Sequence, residues 1–535
     1  MTTFRKAFIT AIVKSLLRGK SLVQAIIAYW INPLTSPVVN PKSDPYPKSI
    51  QEFLKEAEAG LLGPVSGHGL LDLSAALKEQ FLHRMQADTQ SMLPSYSHRL
   101  PSGAERGQYL ALDVGGSTLR VALVELRGRD LADGKPGDVV RSRHFTISDA
   151  VKELEGLSFF DWMARRIQET LAAGITREHG PEKPLPVALA WSFPIEQTSL
   201  GSGKLKGMGK AFLADKGLLG EDLGRIVKQA CGNRGLHVEL RAILNDSSAC
   251  LLSQAYSHPS ARFGLILGTG LNMAAYLPVA AIGKVKFGAR PDAWFDGASH
   301  VIVNTELSMF GQGILPLTRW DRALAKELPR PDFQPLEQLV SGMYLGEIAR
   351  LVLVEAIETA GLLGGLVPPS LRTRYSLSSE TLSMIESDHS DDLSEATKLF
   401  SNRHPSPHTP TTSDLMAIKA IASFISVRSC ALVATCVFTL WDVRLEAERA
   451  YLATLSESSP DRKGVEADMK LEETTVAFNG SVIENYPGYL STCQRYIRDL
   501  VDGLNLPEPR RITLVSAKES SLMGAAVALA CTLHE

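Results

Sequence analysis

A chain of 535 residues, 44% of them hydrophobic and 21% charged, can bury large cores and is expected to fold as a soluble globular protein of two lobes. Its formal net charge of −2 supplies no global attraction to nucleic acid, so no nucleic-acid contact is expected. The cysteines Cys231, Cys250, Cys430, Cys436, Cys493 and Cys531 form no CxxC or other metal-ligand spacing, and no A-x-A-type cleavage site stands near the N-terminus, the usage of a reducing compartment.

The N-terminal segment, residues 1–47, differs from the rest. Arg5, Lys6, Lys14, Arg18 and Lys20 meet no acid before Asp44, while Phe4, Phe8, Ile9, Ile12, Val13, Leu16 and Leu17 recur at helical spacing, the pattern of a basic amphipathic helix. The apolar stretch from Leu22 to Ile31 is about ten residues long, half the length that spans a bilayer. Three readings stay open: docking on a membrane surface through residues 1–31, packing on the protein's own surface, and a cleavable transit peptide. Pro33, Pro37, Pro41, Pro45 and Pro47 then make a stiff, extended linker.

From residue 48 onward the pattern alternates between strands and helices, as in an α/β protein. Helices are expected over 49–92, 151–173, 336–359, 414–439 and 487–502, and strands over 186–191, 239–244, 263–267 and 474–478. Residues 110–121 form an apolar run carrying Asp113, then Gly115-Gly116-Ser117-Thr118, then Arg120 and a second apolar run, which reads as a β-hairpin. Residues 263–272 repeat that design with Gly268-Thr269-Gly270 before Asn272. Glycines let backbone N–H groups approach a phosphate, so two such turns could hold a nucleotide, although either alone is ordinary hairpin chemistry.

Between and after these turns lie the polar residues that carry chemistry. The strand 186–191 ends at Ser192-Phe193-Pro194, and Gly207-Met208-Gly209 leads to Lys210. The strand 239–244 delivers Asn245-Asp246 at the C-terminal mouth of a sheet, where a carboxylate can act as general base; helix N-capping explains the same pair equally well. Glu306 ends the apolar strand through Asn304, and Glu347 sits within the helix-forming run after Ser341. Carboxylates and amides suit a polyol, whose hydroxyls donate to them. Residues 376–412 and 446–473 are expected to be polar loops or insertions, with His389, His404 and His408 solvated and no zinc site. Asn479-Gly480-Ser481 follows the strand 474–478, and Lys518-Glu519-Ser520-Ser521-Leu522-Met523-Gly524-Ala525-Ala526 closes the series.

In this order the segments resemble the hexokinase family from about residue 50 to the end. The resemblance implies the two-lobed ASKHA fold, α/β with a mixed five-stranded sheet in each lobe, and an N-terminal half over 48–255 followed by a C-terminal half over 256–535. It implies ATP-dependent phosphorylation of a hexose such as glucose at its 6-hydroxyl. Asp246 would then be the base, with Lys210 beside it in catalysis, while Ser192, Asn245, Asn272, Glu306 and Glu347 hold the sugar. Asp113 would position Mg²⁺ through water, and Gly115, Gly116, Ser117, Thr118, Arg120, Gly268, Thr269, Gly270, Asn479, Gly480, Ser481 and Gly524 would bind MgATP. A cytoplasmic location is implied, with the mitochondrial outer membrane as a surface for the N-terminal segment.

The departures from that family pattern are specific. Gly209-Lys210 replaces Thr-Lys, a lost hydroxyl contact of about 1 kcal/mol, roughly fivefold in affinity. Ser117-Thr118 replaces Thr-Asn, and Ser308 replaces a glycine. In the C-terminal loop Ser520 and Leu522 replace two glycines, and side chains where backbone must pass a nucleotide are expected to cost about 1–3 kcal/mol each. Two functions follow: a working hexokinase with altered affinities, or a regulatory sugar-sensing protein that phosphorylates poorly. A plain actin- or Hsp70-like ATPase is disfavoured by the sugar-kinase segments.

Overall fold

The computed structural model describes residues 46–130, 135–171, 179–209, 212–506 and 508–533. The expected N-terminal amphipathic helix lies outside these residues. The chain forms two compact units, one comprising Met1–Asp72, Gln312–Val433 and Asn485–Cys493, the other Leu73–Gly311, Ala434–Glu484 and Gln494–Glu535, so each draws on both halves of the sequence.

The second unit holds every strand found among the described residues: Leu93–Pro94 (β1), Gly107–Val114 (β2), Thr118–Leu126 (β3), Gly137–Thr146 (β4), Leu185–Trp191 (β5), Ile195–Gln197 (β6), Gly203–Leu205 (β7), Val238–Leu244 (β8), Ala261–Leu267 (β9), Leu271–Pro278 (β10), His300–Asn304 (β11), Glu473–Asn479 (β12) and Arg511–Ser516 (β13). One mixed sheet runs β4-β3-β2-β5-β8 and the other β1-β11-β10-β9-β12-β13, with β6 and β7 as a separate pair. Apart from the two-residue edge strand β1, the large sheets share one plan. An antiparallel meander of three strands (β2-β3-β4, β9-β10-β11) is extended from its first strand by two parallel ones (β5-β8, β12-β13). Both glycine turns therefore occupy the same place, the first hairpin of a sheet.

Period-two burial sorts the faces of the five-stranded sheet. Leu110, Leu112, Val121 and Leu189 pack with Phe159, Phe160 and Ile226 of the helices Leu157–Thr170 and Leu223–Gly232. The opposite face presents Ala111, Ala122, Ala188 and Ala242 to the alanine-rich helix Ser520–Leu533. That helix packs on Asp246–Ser257, which in turn covers β9, β10 and β12. Small side chains on both partners allow close approach of helix to sheet.

The first unit is helical among the described residues. Asp321 and Arg428 form a fully buried pair there, with bonds of 2.7 and 2.8 Å, and Thr318 caps the same carboxylate. Burial pushes Asp321 up, but the Arg428 charge and the Thr318 bonds bring it below its ordinary value.

Several expected elements differ. The helix over 49–92 is two helices, Ile50–Leu62 and Gly69–Ala87, split where Pro64 starts a 3₁₀ turn and Gly69 meets the Pro64 carbonyl so closely that a Cβ would lie 2.3 Å from its oxygen. The helix over 414–439 is Thr412–Thr454, whose most apolar window is long and apolar enough to cross a membrane but 94% buried in the protein. Residues 446–473 are thus the end of that helix plus Pro460–Met469. Residues 376–412 contain the helices Ser379–Ser387 and Ser394–Arg403 rather than a loop. Nor are its histidines all solvated. His404 is buried against the Ser370 hydroxyl at 2.9 Å, and His408 contacts the Asp414 carboxylate at 3.1 Å. No cluster of potential metal ligands occurs among the described residues.

Candidate active site

The two glycine turns are built as backbone cradles. Asp113 and Arg120 face each other in register across the β2–β3 hairpin, and the turn between, Gly115-Gly116-Ser117-Thr118, closes with the Gly115 N–H donating to the Thr118 carbonyl at 3.0 Å. In the β9–β10 turn the Gly268 N–H donates to the Gly270 carbonyl across Thr269 at 3.0 Å. Gly480 stands at φ +133°, and a Cβ on it would lie 2.3 Å from the Leu267 carbonyl oxygen. A Cβ on Gly268 would in turn lie 3.3 Å from the Ser481 nitrogen. The second turn and Asn479-Gly480-Ser481 are therefore in contact through backbone that only glycine permits. Asn479 is spent locally, its amide donating to Glu484 Oε1 and to the Ala517 carbonyl, both at 3.1 Å.

Asp113 is buried and does not stand alone. Arg120 donates to its Oδ2 through Nε at 2.7 Å and also through Nη2, while Nη1 reaches Glu519 Oε2 at 3.1 Å. Burial pushes the Asp113 carboxyl above its usual value, opposed by the Arg120 charge and lifted further by Glu519. This donor set fits MgATP in one respect, since both Arg120 bonds to Asp113 fall on Oδ2 and Asp113 retains a second oxygen for a hydrated Mg²⁺.

The C-terminal segment that follows β13 opens the last helix. Ser520 begins the helix Ser520–Leu533, and Leu522 is fully buried in the core with Ala111, Ala188 and Ala249. Both residues are buried, Leu522 in the cluster that includes the sheet residues Ala111 and Ala188. Gly524 is a helix-packing residue: a Cβ there would lie 1.9 Å from the Ala249 carbonyl oxygen.

Of the Asn245–Asp246 pair, Asn245 takes the helix cap. Asn245 is the N-cap of Asp246–Ser257, its Oδ1 accepting from the Ser248 N–H at 2.9 Å and its Nδ2 donating to the Ser247 hydroxyl at 3.1 Å. The cap uses one N–H of Nδ2 and one lone pair of Oδ1, which leaves the amide a further donor and acceptor for the expected sugar contact. Asp246 is the first helical residue after β8, half-buried, with Oδ1 accepting from the Ser247 N–H at 2.8 Å. Ser192 follows β5 with its N–H on the Val114 carbonyl. Lys210 lies outside the described residues.

At the ends of β10 and β11 a relay forms. Asn272 Nδ2 donates to Asn304 Oδ1 at 2.9 Å, and Asn304 Nδ2 donates to Glu306 Oε1 at 2.7 Å. Glu306 itself stands in the left-handed region at φ +49°, a strained setting that tends to mark functional sites. Asn304 links the two expected residues and was not singled out from sequence. Its signal was available, an amide two residues before Glu306 at the same strand end.

Glu347 belongs to the first unit, on the helix Gly342–Ala360. It is buried, and its charge is matched by Arg350, whose Nε donates to Oε2 at 2.8 Å and Nη2 to Oε1 at 2.6 Å. The Tyr375 N–H adds a third bond to Oε2 at 2.6 Å. Arg350, one turn on, was the legible partner for a carboxylate on an apolar helix.

Comparison with known proteins agrees with this arrangement. Two family models, each described as hexokinase, match residues 64–256 and 262–531. Hexokinase-2 of Candida albicans is 29% identical over 451 residues, covering 82% of this chain and 84% of that protein. The chloroplastic hexokinase-4 of Oryza sativa subsp. japonica is 30% identical over 440 residues, with coverage of 82% and 79%. A solved hexokinase from Schistosoma mansoni, complexed with glucose, shares the fold with a TM-score of 0.69 at 24% identity, covering 90% of this chain and all of that one. Paired sheets of one plan, a carboxylate at the mouth of β8 and family matches over both halves place this chain in the hexokinase family.

Proposed function

We propose that this chain phosphorylates a hexose, with glucose as the reference sugar, at the 6-hydroxyl. The observation that carries the reading is the placement of Asp246, at the head of a helix directly after β8, while Asn245 takes over the capping duty. A carboxylate so placed can accept the proton of a substrate hydroxyl, a role worth about 10²–10⁴ in rate. The Asn272–Asn304–Glu306 relay would supply acceptors for sugar hydroxyls, Ser192 and Lys210 are proposed to complete the contacts of that unit, and Glu347 is proposed as a sugar acceptor of the first unit. MgATP, when bound, supplies the phosphoryl group. On this chain's side, the Gly115–Thr118 and Gly268–Gly270 turns would hold phosphate oxygens and Asp113 would hold Mg²⁺ through water.

A coupled assay with glucose and excess MgATP tests this reading. Turnover is expected in the intact protein and a loss of about 10²-fold or more in Asp246→Ala, with sugar-dependent quenching of tryptophan fluorescence retained. Sugar binding with no turnover at millimolar MgATP would remove it and leave the second reading, a sugar-sensing protein. That alternative is favoured by one observation, the Arg120 guanidinium shared between Asp113 and Glu519 on the phosphate side. We further propose that residues 1–31 dock on a membrane, the cytoplasmic face of the mitochondrial outer membrane being the suggested surface. Deleting residues 1–45 should then abolish co-sedimentation with anionic vesicles, and equal pelleting of both chains would refute docking.

A further inference from the structure

Tyr375 stands at φ +57°, a conformation that glycine takes freely and a tyrosine holds only under strain. Core packing does not account for it, since the residue is 42% exposed. Its N–H donates to Glu347 Oε2, the oxygen that also receives Arg350 Nε, whereas Oε1 receives only Arg350 Nη2. A carboxylate accepts at about four positions, so this buried group keeps an acceptor site on Oε1 that the described residues do not use. The Tyr375 ring lies 6.4 Å from that of Tyr344, tilted by 58°, and Tyr344 precedes Glu347 by one helical turn. An unspent carboxylate acceptor whose partner residue carries a partly exposed aromatic pair is the combination that a sugar ring satisfies, with a hydroxyl on the first and its C–H face on the second.

We propose that Tyr375 is a positioning and selectivity residue of the hexose site: its strained amide fixes the Glu347 carboxylate, and its ring, backed by Tyr344, forms an apolar wall that the bound hexose covers. This rests on the hexose-kinase reading above. The strain is kept because the ring is wanted at a place where the backbone must also bond Glu347.

Tyr375→Gly separates the two parts, since glycine keeps the N–H and suits the backbone while the ring is removed. The full-length variant should melt at the same or a higher temperature than the intact protein, yet bind glucose about threefold to tenfold more weakly by tryptophan fluorescence or calorimetry. Tyr375→Phe should bind within about twofold of the intact protein, because the ring is retained. Unchanged glucose affinity in the glycine variant overturns the proposal and leaves the hexose reading standing. A fall in affinity accompanied by a fall in melting temperature also overturns it, since a purely structural role moves both together. If the intact protein binds no hexose at all, this proposal and the function beneath it fall together.

Discussion

Arg120 divides one guanidinium between two acids, Asp113 on the neighbouring strand and Glu519 at the entrance of the last helix. The first contact is short-range and legible, because Asp113 and Arg120 sit seven residues apart across a glycine hairpin. The second joins residues 399 positions apart, and no local pattern foretells it. Glu519 is held at φ +51° with about half of its side chain exposed, so its pair with Arg120 is worth at most about 1 kcal/mol. That is still a competitor for any anion seeking the same guanidinium. Glu519→Gln is therefore expected to bind MgATP about twofold to fivefold more tightly, read by titration calorimetry, with thermal stability nearly unchanged. Equal nucleotide affinity in the two proteins would mean that Arg120 plays no part in phosphate binding. Leu522, which stands where the family pattern has a loop glycine, is packed into the core.

Elements were legible where burial enforces a period. The strands expected over 186–191, 239–244, 263–267 and 474–478 announce themselves as apolar runs ending at polar residues or glycine turns, because their faces are covered, whereas the largely exposed Gly137–Thr146 and the half-exposed Arg511–Ser516 gave no such signal. What escaped were helices made of polar residues. Ser379–Ser387 is started by the Ser378 hydroxyl accepting the Thr381 N–H, and the Asp388 carboxylate accepts the Ala396 N–H, so residues that read as loop composition act as caps. Pro460 opens its helix at a position that has no hydrogen bond to lose. The contact between Asp246–Ser257 and Ser520–Leu533 was likewise invisible, since it depends on one small residue seated on another helix's backbone. Adding even a methyl group at Gly524 collides with the Ala249 carbonyl, and the helix pushed away is the one that Asp246 heads. Gly524→Val should thus cost at least about 1–3 kcal/mol in denaturant unfolding and lower turnover through displacement of Asp246. A variant with native stability and activity would show that the two helices are less closely seated than the backbone distances state.

At the scale of the whole molecule, the plan repeated in two sheets explains why the sequence carries the glycine-turn design twice, about 150 residues apart. Charge at this scale is nearly balanced, and so is the response to pH inside the helical unit. Burial pushes the Glu386 carboxyl from 4.5 up to about 7, against hydrogen bonds from Tyr486 and Ser426 and the charge of Lys419. Burial also pulls His404 from 6.5 down to about 4, assisted by the charge of Arg403. The two act with opposite sign. Between 4.5 and 7 the folded protein holds a proton on Glu386 that the unfolded chain releases, so this group's contribution is lost as pH rises. Between 6.5 and 4 the unfolded chain binds a proton on His404 that the folded protein refuses, so that contribution is lost as pH falls. Each slope is bounded at about 1.4 kcal/mol per pH unit, and over the shared range they offset each other. The intact protein should therefore have a nearly level melting temperature from pH 6.5 to 4.5. Glu386→Gln should leave His404 unopposed, with a melting temperature that falls on acidification, while His404→Gln should leave Glu386 unopposed, with one that rises. Parallel profiles for all three proteins would show that neither group changes its proton affinity on folding.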